Sequence, residues 1–74
     1  MNVELRTPQA ALLRSVFKGK MPYEGLSLLK AVITGKRGPF SEREIKVATN
    51  KIKKAGYTPA LLLDLLGLTL TDLA

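Results

Sequence analysis

Apolar residues along this chain recur at helical spacing, and glycine or proline punctuates each recurrence. Ala10, Leu13, Val16 and Phe17 share a face after Thr7-Pro8, a threonine N-cap with a first-turn proline, and Gly19 stops the run. Pro22 opens a second segment in which Leu26, Leu29, Val32 and Ile33 line a face that Leu28 widens, and Gly35 ends it. Thr58-Pro59 repeats the first opening and leads a leucine-rich segment to about Leu66, with Gly67 as its stop and Thr69 or Thr71 able to cap one last turn. No segment alternates as a strand would, although Val3 and Leu5 can extend along the helices. The pattern predicts an all-α fold, a small compact bundle of four short helices near residues 8–18, 22–34, 42–55 and 59–66, forming one domain over 1–74.

The third helix is the most fully specified. Ser41 is a good N-cap, and Glu44 three residues later completes the spacing of a capping box. Phe40 before the cap and Ile45 at the fourth helical position supply the matching hydrophobic staple. Gly56 follows the last turn as a left-handed C-cap, with Tyr57 placed to fold back on Ile52 as in a Schellman motif. At 100° per residue, Ile45, Ala48, Ile52 and Ala55 fall on one side. Arg43, Lys46, Asn50, Lys53 and Lys54 share an arc of roughly 100° on another. One face seeks a core and the other offers positive charge.

Leu61, Leu62, Leu63, Leu65 and Leu66 cover more than half of the fourth helix and leave mainly Asp64 for water. A helix this apolar is expected to be buried on several sides, either at the centre of the domain or against a second copy. Leu62, Leu65, Leu66 and Leu70 are accordingly the expected contact of a homodimer. Leu62, Leu66, Gly67 and Leu68 also match apolar and turn-glycine positions of a helix-turn-helix. Leu63, however, stands where a small residue normally lets the two helices approach, and the recognition helix would fall beyond Ala74.

Composition narrows the chemistry. The 74 residues contain neither Cys nor His, so disulfides, thiolate metal sites and the usual zinc, copper and haem ligands are not expected, and no cofactor is implied. The commonest general base and the thiol nucleophile are missing as well. The six carboxylates are scattered, and Ser15, Ser27 and Ser41 have no obvious base, so a non-enzyme is expected. No apolar run approaches the roughly 20 residues that span a bilayer, and no leader-like N-terminus is apparent; no membrane association and a cytoplasmic location follow as expectations.

Charge is uneven. From Arg14 to Lys54 eleven Lys and Arg face three Glu, a net of +8, whereas Asp64 and Asp72 are the only charges after Lys54. Surplus lysine can simply solvate helix faces. The ordered arc of the third helix asks for more. Lys46, Lys53, Lys54 and Arg43 suit phosphate neutralisation, and Asn50 at the centre has the amide geometry that reads adenine in a major groove. Lys36 and Arg37 precede this helix on a Gly/Pro-rich loop and can add backbone contacts. Glu42 and Glu44 in the first turn oppose an anion at the helix end, so contact along the side is expected. With only four aromatics, two of them in core or staple roles, RNA is the weaker expectation. The sequence reads as a small nucleic-acid-binding, regulatory or accessory protein for duplex DNA. The alternative is an adaptor or inhibitor that docks its basic face on an acidic protein surface.

Overall fold

The structure is a computed structural model that describes residues 3–73. It contains α1 (Thr7–Val16), α2 (Pro22–Thr34), α3 (Glu42–Lys54), α4 (Pro59–Leu65) and a further helical turn, α5 (Leu70–Leu73), with no strand among the described residues. The fold is thus the all-α bundle that the periodicity predicts. Thr69 caps the last turn: its N–H donates to Asp72 Oδ2 at 2.8 Å, and the Asp72 N–H reaches back to Thr69 Oγ1 at 3.4 Å. Val3 and Leu5 lie outside any regular element and are half-buried against the core, with the Leu5 N–H donating to the Tyr23 hydroxyl at 3.0 Å.

The boundaries of α1 depart from the prediction at both ends. Arg6, not Thr7, is the N-cap residue, because the Gln9 side chain accepts the Arg6 N–H at 2.8 Å. The same Gln9 amide donates to the carbonyl of Leu66 at 2.7 Å, 57 positions away. At the other end the helix stops at Val16 because Phe17 leaves helical geometry, φ −106° and ψ 68°, to bury its ring, which is 1% exposed. That ring lies against Gly25 of α2, where a Cβ atom would come within 2.9 Å of Phe17 Cδ2. Glycine at this helical position is a requirement of close approach.

The central element is α2, which packs against α1, α3 and α4 and buries Pro22, Gly25, Leu26, Leu28, Leu29 and Ala31. The sequence pointed to α4 for this role, or for a contact between copies, and the structure divides it differently. Leu62, Leu63 and Leu66 close the chain's own core, with Leu62 at 0% and Leu66 at 2% exposure. Leu62 and Leu66, expected at a homodimer contact, are therefore already occupied within one chain. Leu65 and Leu70 stay open at 54% and 51%, joined by Leu61 at 43%. The reason is length: seven residues make two turns, and so short a helix packed against α2 and α3 covers only the side that faces them.

Candidate functional site

Helix α3 is held rigidly at both ends. Ser41 Oγ accepts the Glu44 N–H at 3.2 Å while the Ser41 N–H donates to Glu44 Oε1 at 3.1 Å, the reciprocal pair the sequence predicts. The bond from the Ser41 backbone N–H, with the Ser41 hydroxyl and the charge of Lys20 behind it, holds the exposed Glu44 carboxyl below the usual carboxylate range. Phe40 and Ile45 both pack against the core. At the far end the Tyr57 N–H donates to the Ile52 carbonyl at 3.1 Å and the Gly56 N–H to that of Lys53 at 3.0 Å, a Schellman motif with Gly56 at φ +87°. The last helical residue is Lys54, and Ala55 is the C-cap.

Ala48 and Ile52 are buried at 2% and 0%, and Ile45 is half-buried. Ala55, expected beside them, is exposed: it is the C-cap, still right-handed, and the chain turns away at the left-handed Gly56 that follows. On the opposite side Arg43, Lys46, Asn50, Lys53 and Lys54 are all exposed, as their shared arc predicts. Arg37 from the preceding loop joins Arg43 and Lys46 around one shallow depression that Glu42 and Ile45 complete. Lys36 is turned toward α2 and lines a separate groove with Lys30, Arg37 and Phe40. At the other end of the helix Lys54 shares a depression with Lys18 and Lys51, and Lys51 Nζ donates to the Lys18 carbonyl at 3.4 Å. The loop after α1 thus extends the positive surface beyond the residues singled out in the sequence.

Two features escaped the sequence reading. Val47 is 44% exposed among the cations, an apolar residue where the charged arc would lead one to expect a polar one. Between α2 and α3 runs a groove whose floor is Phe17, Leu28 and Ala48 and whose rim carries Lys20, Arg43 and Lys51 with Val47 and the carboxylate of Glu44 among them. The angular position of Val47, next to Arg43 on the helical wheel, is the signal that would have found the first. The second depends on the docking of two helices and left no local trace.

Among the described residues a single ion pair forms, Lys20 Nζ to Glu24 Oε2 at 4.0 Å. The cations of α3 and of the loop before it thus have no carboxylate at salt-bridge distance there. Among the described residues no cluster of His, Cys, Asp or Glu is arranged to hold a metal ion and no helix is long and apolar enough to cross a membrane. No family model matches this chain, and neither the curated proteins nor the solved structures contain a significant match to it.

Proposed function

We propose that this chain is a small nucleic-acid-binding protein of regulatory or accessory type, a binding protein and not an enzyme, that holds duplex DNA along the outer side of α3. The observation that carries this reading is the fixed array of Arg43, Lys46, Lys53 and Lys54 around Asn50, exposed and without acidic partners among the described residues. Helix stability alone accounts for only part of it. Lys53 and Lys54 in the last turn suit the helix dipole, but Arg43 in the first turn opposes it. A backbone of phosphates rewards all four.

Fluorescence anisotropy with mixed-sequence duplex DNA tests the proposal. Affinity should fall linearly on a log–log salt plot with a slope of about −3.6 to −5.4, as expected for four to six neutralised phosphates. Lys46→Glu combined with Lys53→Glu should abolish binding and leave the helical circular dichroism unchanged, since neither side chain faces the core. An absence of affinity for duplexes and single strands at low salt overturns the reading.

The groove between α2 and α3 favours a second reading, in which an acidic protein segment lays an apolar anchor against the exposed Val47 between Lys20, Arg43 and Lys51. Binding of that kind keeps a salt-resistant component. Under either reading we also propose that the protein works in the cytoplasm as a homodimer, through Leu65 and Leu70 with Leu61 in place of the buried Leu62 and Leu66. Light scattering should report a dimer at high micromolar concentration and a monomer for Leu65→Glu; a monomeric wild type refutes it.

A further inference from the structure

The exposed valine gives the basic helix an internal order that charge alone lacks. Arg43, Val47, Asn50 and Lys54 follow one another at intervals of four, three and four residues, which makes a single stripe along the outer side of α3. The ends of the stripe are cations, and its middle is an apolar side chain beside an amide. Lys46 and Lys53 flank it on one side. On the other lies Lys51, which borders one groove with Val47 and another with Lys18 and Lys54. Charge thus runs along both margins of the helix and leaves the centre line free of it at Val47 and Asn50.

A duplex major groove has the complementary layout. It is about 12 Å wide, enough to admit a helix, with phosphates along both walls and base edges on the floor. Val47 and Asn50 are three residues apart and so rise about 4.5 Å along the helix axis, close to the roughly 3.4 Å step between neighbouring base pairs. An asparagine amide pairs twice with adenine, at N7 and the 6-amino group, and an aliphatic side chain meets the 5-methyl group of thymine. Glu42 and Glu44 stand in the first turn of the helix on either side of Arg43, so phosphate contact concentrates on the later turns, from Lys46 to Lys54, with Arg43 its one cation in the first turn.

We infer that Val47 and Asn50 are a base-reading pair, which selects adjacent A·T pairs in the major groove by thymine methyl and adenine edge, while the lysines on either margin hold the two phosphate walls. The inference rests on the nucleic-acid reading above and adds to it a preference for base composition and a groove.

Four alternating duplexes separate the terms by anisotropy at fixed low salt: dA·dT, dA·dU without the thymine methyl, dG·dC, and dI·dC, which resembles dG·dC in the major groove and dA·dT in the minor groove. Wild type should bind dA·dT about tenfold more tightly than dG·dC. It should bind dI·dC as weakly as dG·dC, and dA·dU several-fold more weakly than dA·dT. Val47→Ala should erase the difference between thymine and uracil, and Asn50→Ala should reduce the difference between dA·dT and dG·dC to the several-fold part that the thymine methyl supplies, with the salt slope unchanged in both. Equal affinity for all four duplexes, tight binding of dI·dC, or a thymine preference that survives Val47→Ala overturns the base-reading pair and leaves phosphate binding standing. Failure of every duplex to bind removes the underlying function instead.

Discussion

The carboxyl of Glu44 ties an exposed side chain to the stability of α3. Its folded pKa is lowered, chiefly by the Ser41 backbone N–H and then by the Ser41 hydroxyl, so its ionised form favours the folded chain. Stability from this source is fully present above the ordinary carboxylate range and disappears as pH falls through the lowered folded value. Glu44→Gln keeps an acceptor for the cap and removes the titration. Its deficit relative to wild type, measured by thermal unfolding across the acid range, should shrink as pH falls. Ser41→Ala, which deletes the hydroxyl from the cap, should cost about 1 kcal/mol at neutral pH. Both residues were legible in the sequence because the capping box spans only four positions, and local hydrogen bonding settles it before any other helix is present. The cap of α1 was not legible for the opposite reason. Gln9 owes its conformation partly to the Leu66 carbonyl, a partner that only the finished fold supplies.

At the scale of the helix, local signals located all the segments and misjudged how two of them share the core. Hydrophobic periodicity tells which face of α2 is apolar but does not tell that Phe17 will lie on Gly25, since that contact joins a residue leaving one helix to the middle of the next. Gly25→Ala measures the difference. Alanine in a helix interior gains about 1 kcal/mol over glycine. A Cβ at 2.9 Å from a buried ring overpacks the core at a cost of about 1–3 kcal/mol. The substitution should therefore lower the melting temperature by several degrees, where a helix governed by propensity alone would become more stable. The leucines of α4 show the converse limit. Composition reports that they are apolar, while the short length of the helix decides which of them the chain can cover. The basic side of α3 was legible in full, save Val47, because a helix with caps at both ends and two buried anchors has only one orientation left to it.

Across the whole molecule, positive charge gathers on α3 and the loops beside it, and the exposed leucines of α4 and α5 occupy the acidic end of the sequence, so the two candidate surfaces belong to different elements. Most of what holds the elements in shape is short-range: caps, Schellman turns and contacts between successive helices. Chains of this kind fold quickly, because little loop entropy is lost before contacts begin to form. The bond from Gln9 to Leu66 spans the most sequence of the side-chain hydrogen bonds among the described residues, a closure between the first helix and the end of the fourth. Such a contact is expected to form late, after the rate-limiting barrier has been crossed. Gln9→Ala should therefore leave the refolding limb of a chevron plot nearly in place and raise the unfolding limb. The Gln9 amide would then act as a latch on the finished protein, lengthening the lifetime of the native state without hastening its arrival.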